Sequence, residues 1–169
     1  MKTLEVPAHL LNIKRFECQH CADCCKNLRV DVTYSDITRW KREGRWDILQ
    51  RVALAEGRDG RMDFCLYETT APKSQCPFLS EDNRCRIHPT KPQVCHHFPF
   101  NATLERATLC RGVGKGPPVP PTVFQTIARN ERRDFMRLQG HTSKVMTLLL
   151  GARVAARHPD GALAKATVG

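Results

Sequence analysis

Two apolar stripes at helical spacing run through the last third of the chain. Phe124, Ile127, Ala128, Phe135 and Leu138 fall on one face, and Val145, Leu148, Leu149, Ala152 and Ala156 form a second stripe. Thr122 with Gln125 makes a capping box for a helix running to about Gln139, Gly140 breaks the pattern, and the second stripe should end before Pro159. The expectation is a helical hairpin, packed on the rest of the chain or on a partner, with residues 160–169 frayed. Neither stripe is long enough, or apolar enough all round, to span a membrane.

Upstream, Leu28-Arg-Val-Asp-Val-Thr33 alternates apolar and polar residues and predicts a short strand. Ser35 caps a helix from Asp36 that Gly44 stops, and Trp46 to Ala55 reads as a second short helical stretch ended by Gly57. Ile37, Trp40, Ile48, Leu49 and Val52 are the expected core of this layer, with both Trp40 and Trp46 buried. From Arg58 to Pro99 the chain is rich in turns with little periodicity, as where metal ligation replaces a hydrophobic core. Gly112 to Pro121 (GVGKGPPVPP) reads as a stiff linker. No internal repeat is present.

The cysteines change this picture most. Nine occur in 169 residues, beginning with Cys18-Gln-His-Cys21-Ala-Asp-Cys24-Cys25 and continuing at Cys65, Cys76, Cys85, Cys95 and Cys110. A disulfide framework needs export, yet Pro7, His9, Asn12 and Lys14 interrupt the N-terminal apolar residues, so a cytoplasmic location is expected. An odd count and an adjacent pair also fit disulfides poorly. Inert buried cysteines have no reason to recur at every third position. Metal binding remains. A Cys-x-x-Cys turn brings two sulfurs to one side of the backbone, and thiolates are the ligands preferred by zinc, copper(I) and iron–sulfur clusters. Three such ligands in series are similar to the opening of a bacterial ferredoxin run, which favours a cluster over paired zinc knuckles. The Cys-x-x-x-Cys-x-x-Cys spacing of radical chemistry is absent. In an extended segment Cys24 and Cys25 would point to opposite sides, so one of them should serve a second centre.

Downstream stand Cys76-Pro-Phe-Leu, Cys85-Arg-Ile-His88, Lys91-Pro92-Gln-Val-Cys95-His-His-Phe98-Pro99-Phe100 and Cys110-Arg-Gly-Val-Gly-Lys-Gly116. Together with the first run, over roughly residues 16–118, these segments closely resemble the family named for its CxxCxxCC signature and assigned to zinc or iron chelation. That family includes the cysteine-rich part of flagellin lysine N-methylases and short stand-alone proteins. The resemblance implies Cys18, Cys21, Cys24, Cys25, Cys76, Cys85, Cys95 and Cys110 as metal ligands. Cys65, in Asp63-Phe-Cys-Leu-Tyr67, matches no part of the signature and is the expected spare thiol. His20, His88, His96 and His97 are read as outer donors or solvated residues, with His88 the first to test as a ligand.

Charge adds a second clue. Of the net +10, residues 111–169 carry ten basic and three acidic side chains, giving +7. The excess gathers at Arg129, Arg132, Arg133, Arg137, Lys144, Arg153 and Arg157. Such a face attracts nucleic acid, anionic lipid or an acidic protein. With few aromatics for base stacking, an acidic protein partner is favoured over nucleic acid. Gly112-Val-Gly114-Lys115-Gly116 lacks phosphate-loop spacing and runs into prolines, so its glycines are read as wrapping the last cysteine.

The expected fold is α+β: a small irregular metal-stabilised domain with short strands and helices over 1–118, then a basic α-helical hairpin over 119–169. The expected function is metal binding, with an iron–sulfur cluster, [4Fe-4S] in type, serving electron transfer, redox sensing or an accessory subunit. Zinc in a structural module is the alternative. A lysine-methylase-related enzyme is a further alternative, disfavoured because the chain offers no strand–glycine-loop–helix unit for S-adenosylmethionine.

Overall fold

The structure, a computed structural model, describes residues 13–26, 30–56, 62–66, 75–102 and 107–157, with the backbone alone described at 56, 131–132, 134–140, 142 and 154–157. Strands and helices are both present, as expected of an α+β chain, and the strands form two small antiparallel sheets. Strand β1 (Arg15–Phe16) is paired near the other end of the cysteine-rich region by β5 (Val113–Pro118). A three-stranded sheet has the order β2 (Val30–Asp31), β4 (Met62–Leu66), β3 (Val52–Glu56). Between these strands lie helix α1 (Tyr34–Arg42) and the single turn α2 (Trp46–Leu49), and later the short α3 (Gln93–His97) and the long α4 (Thr122–Arg157).

Helix α1 starts two residues earlier than the Ser35 reading. Thr33 is the N-cap, and its hydroxyl accepts from the Asp36 N–H while the Asp36 carboxylate accepts from the Thr33 N–H, a complete capping box. Just past its C-terminus Gly44 takes φ +66°, the left-handed conformation that a side chain resists. The stretch after Trp46 is not one helix. It makes a single turn and then extends as β3, with Ala53 opposite Cys65 and Leu54 opposite Phe64. A short apolar run fits either periodicity, and here the partner strand β4 decides.

The expected core residues Ile37, Trp40, Ile48, Leu49 and Val52 are all fully buried. Trp46 is not: it is 41% exposed, so its expected burial is corrected. Phe64 and Leu66 of β4 join this cluster, together with Val145, Leu149 and Ala152 from the far half of α4. A second cluster, Ile13, Phe100, Ala107 and Ile127, anchors the near half. In it Phe100 meets Phe16 and Phe124 edge to face, each at 5.6 Å between centroids.

The hairpin expectation is also corrected, because the backbone stays helical through Gly140 in one 36-residue helix. One interior glycine costs only about 1 kcal/mol, and apolar contacts on both sides of it hold α4 against the two clusters. Tyr34 stacks on His141 at 5.2 Å, and Arg153 Nη2 donates to the Val52 carbonyl at 3.0 Å, so the helix is tied along its length. Phe135, Leu138 and Ala156 of the expected stripes lie among side chains outside the described set, as do residues 28–29, 57–61 and 160–169 entirely. The expected Gly/Pro linker is instead strand β5, recruited by β1. Among the described residues no helix is long and apolar enough to cross a membrane.

Candidate metal centre

The first cysteine loop leaves β1 through Glu17, whose N–H donates to the Gly112 carbonyl at 3.1 Å. A Cβ on Gly112 would run into the Glu17 carbonyl oxygen and the Phe16 ring, so only glycine allows this approach. Within the loop His20 and Ala22 both take positive φ, 51° and 63°. These left-handed residues curl the chain, and the N–H groups of Cys25 and Lys26 both donate to the Ala22 carbonyl, at 2.8 and 3.0 Å. Cys24 and Cys25 therefore sit in a turn, not an extended segment. Their sulfurs lie 3.9 Å apart, which removes the ground for sending them to opposite sides.

A second arm docks on this turn. The Cys76 N–H donates to the Cys25 carbonyl at 2.9 Å, and Gln75 bridges to Lys26. Leu79 bridges to Cys85, and the Arg86 N–H donates to the Phe78 carbonyl at 2.9 Å, closing a tight reversal that presents Cys76 and Cys85 together. Lys26 Nζ reaches Asn83 Oδ1 at the tip of that reversal, at 2.7 Å.

Cys95 arrives on α3, and α1 positions it. Asp36 is fully buried and accepts from the Gln93 N–H at 3.0 Å, fixing the first residue of α3. Trp40 Nε1 donates to the Thr90 carbonyl at 2.8 Å, Arg39 Nη2 to the Lys91 carbonyl at 2.8 Å, and the Thr90 hydroxyl to Glu43 Oε2 at 2.6 Å. Burial raises the Asp36 pKa, while Thr33, Arg39 and the Gln93 N–H work to hold the carboxylate charged. Sequence reading missed Asp36 as a support of the site; its signal was the Thr33-x-x-Asp36 capping spacing.

The electrostatics show which thiols lie near enough to influence one another's ionisation. Burial raises the Cys76, Cys85 and Cys95 pKa values, and charge on Cys24 raises all three further. Cys95 also feels Cys76 and Cys85, so Cys24, Cys76, Cys85 and Cys95 form one mutually repelling set. Cys24 itself is raised by its hydrogen bond with Cys25 and then by burial. Cys110 is raised by burial, and by Cys21 ahead of Cys24. Opposing this, backbone N–H groups point at the sulfurs: those of Phe78 and Leu79 at Cys76, that of Ile87 at Cys85, and those of Gly112 and Val113 at Cys110. Lys91 adds a cation that favours thiolates at Cys24, Cys85 and Cys95.

The remaining residues fall outside this set. Cys18 is exposed, and Cys65 is buried within β4 opposite Asp31 and Ala53. His20, His88 and His96 are exposed and His97 is buried. The His88 pKa is lowered, first by Lys91, and His88 Nε2 lies 3.5 Å from Lys91 Nζ. Among the described residues, no three Cys, His, Asp or Glu side chains are already closed into an ion-coordinating arrangement. The donor chemistry nevertheless fits a thiophilic ion or cluster. Buried sulfurs that resist ionisation, among them Cys76, Cys85 and Cys110 approached by N–H dipoles, gain most from a bound cation.

A family model described as "Putative zinc- or iron-chelating domain" matches residues 17–111. None of the curated proteins and none of the solved structures matches the chain.

Proposed function

The chain belongs to the CxxCxxCC family of zinc- or iron-chelating domains, and from that premise we propose that it is a non-catalytic iron–sulfur protein. Its cluster, [4Fe-4S] in type, is held by the family's thiols and serves electron transfer, redox sensing or an accessory subunit of a larger complex. The observation that supports this reading is that charge on Cys76, Cys24 and Cys85, from two other segments of the chain, raises the pKa of the buried Cys95 thiol. Thiolates lined by N–H groups are what an iron–sulfur cluster requires, and those N–H groups, with the nearby Lys91, act to raise its potential. The protein works in the cytoplasm, and the exposed Arg129, Arg133 and Lys144 of α4 face an acidic protein partner.

Zinc is the second reading, and the 3.9 Å between the Cys24 and Cys25 sulfurs favours it. Tetrahedral angles and Zn–S bonds of about 2.3 Å put neighbouring ligand sulfurs about 3.8 Å apart. Anaerobic purification followed by iron, sulfide and zinc analysis separates the two. Iron and acid-labile sulfide in equal amounts, about four of each per chain, support the cluster. Zinc without sulfide supports the second reading. Protein isolated and reconstituted without either metal contradicts both.

A further inference from the structure

The segment that leads from β5 into α4 carries the run Pro117-Pro118-Val119-Pro120-Pro121, preceded by Lys115. A strand turns alternate side chains to opposite faces, yet exposure here repeats every third residue. Val113, Gly116 and Val119 are half-buried, while Gly114, Lys115, Pro117, Pro118, Pro120 and Pro121 are all exposed. The register of β5 on β1 slips between Val113, opposite Phe16, and Pro118, opposite Arg15, so no regular ladder imposes a period of two. Over 117–121 four pyrrolidine rings hold φ near about −65°, and a period of three is that of the polyproline II helix. Val119 supplies its inward face. It packs on the cluster of Ile13, Phe100, Ala107 and Ile127, and its N–H donates to the Lys14 carbonyl at 2.9 Å. Ahead of the run Arg15 Nε donates to the Gly116 carbonyl at 2.6 Å, and within it the Pro120 carbonyl accepts from the Val123 N–H at 3.0 Å. The prolines are thus pinned along their length and stand out as a rib with two of its three faces exposed.

We propose that this rib is a docking site for a protein partner whose groove is lined by aromatic side chains and rimmed by acidic ones. Aromatic grooves of this kind read the Pro-x-x-Pro spacing of a preformed polyproline II helix. The spacing occurs twice here, from Pro117 to Pro120 and from Pro118 to Pro121, and Val119 between the two proline pairs is the residue turned into the fold. Two outward faces are what such a groove grips. Because the rings and the anchoring bonds set the shape before any partner arrives, little ordering remains to be done on docking. Charge gives the groove its rim. Lys115 is exposed three residues ahead of Pro118, and Lys14 and Arg15 are exposed on the segment paired with the rib, against the one carboxylate of Glu17 beside Gly116. An acidic rim complements that balance. The proposal stands whichever metal the thiols hold, and the rib is a surface separate from the basic residues of α4.

The test is titration of the full metal-loaded chain into a panel of recombinant WW and Src-homology-3 domains, both readers of polyproline, followed by NMR of the labelled domain. At least one domain with an acidic rim should bind, with its shifts gathered in the aromatic groove. Replacing all four prolines by alanine should weaken that binding about tenfold or more, and Lys115→Glu should weaken it several-fold. Far-UV circular dichroism and metal content report that each variant remains folded and loaded, so a loss of docking is read apart from any loss of metal. If the four-alanine variant fails to fold, competition by a synthetic peptide of residues 113–122 decides: displacement of the chain from the groove supports the rib, and no displacement overturns it. Failure of every domain in the panel to bind overturns the proposal. Binding that survives the four alanines in a folded variant overturns it as well, by placing the contact on another surface. Both of these results leave the proposed metal function standing.

Discussion

The buried carboxylate of Asp36 accepts a 3.0 Å hydrogen bond from the backbone N–H of Gln93, the first residue of the helix that carries Cys95. One oxygen also takes Arg39, and the other takes the Thr33 N–H and hydroxyl. A helix cap and the placement of Cys95 therefore depend on the same group. Asp36→Ala removes the cap and leaves buried donors unpaired, costing about 2–4 kcal/mol in chemical denaturation. The same variant should weaken metal binding, measured by competition with a chromophoric chelator. Unchanged affinity in a destabilised variant would separate the cap from the site.

The glycines of the last segment are not equivalent. A Cβ on Gly112 meets the Glu17 carbonyl oxygen and the Phe16 ring, whereas one on Gly114, at φ +84°, meets nothing within 4 Å. Gly114→Ala should cost about 1 kcal/mol, from its left-handed backbone alone. Gly112→Ala must shift backbone and should cost about 1–3 kcal/mol, with a loss of bound metal that Gly114→Ala does not share. Paired unfolding and metal-content measurements check this.

Sequence pattern identified the zinc- or iron-chelating family more readily than the architecture. The Cys-x-x-Cys steps and distal cysteines carry their meaning in the residue type itself, and the apolar Ile37, Trp40, Ile48, Leu49 and Val52 had to be buried somewhere. The errors fall where a distant partner decides. Residues 52–56 became a strand because β4 lies alongside, and 113–118 became one because β1 does. Gly140 failed to break α4 because two hydrophobic clusters hold the helix on either side. Trp46 remained exposed although its twin Trp40 is buried, a difference of helix face that four residues of helix cannot announce. At the site, the relation of Cys24 to Cys25 turned on the left-handed backbone of Ala22, which alanine seldom signals.

Thiol ionisation should make the metal-free protein sensitive to alkaline pH. Burial raises the Cys76, Cys85, Cys95 and Cys110 pKa values above the ordinary 9.0. Groups raised on folding bind protons more tightly in the native state, so their contribution is intact below about pH 9 and declines as pH rises toward the folded values. Denaturant midpoints of the metal-free protein should fall between about pH 8 and about pH 10, while metal-loaded protein, whose thiols are deprotonated in the folded state alone, should gain stability as pH rises toward about 9 and not fall. Parallel curves for the two forms would contradict this.

Lys91 is the cation that favours ionisation of Cys24, Cys85 and Cys95, and it also lowers the His88 pKa. Lys91→Met should weaken metal binding at neutral pH by up to about tenfold for each pKa unit lost and let His88 titrate at higher pH, read by NMR of the imidazole. A His88 titration unmoved by the substitution would place the ammonium elsewhere in solution.

The claim that the cysteines between residues 18 and 110 meet around metal is tested most directly by X-ray absorption of the anaerobically purified protein, at the edge of whichever metal it carries. The account predicts a first shell of sulfur alone, at about 2.3 Å. A shell dominated by nitrogen or oxygen at about 2.0 Å would contradict it.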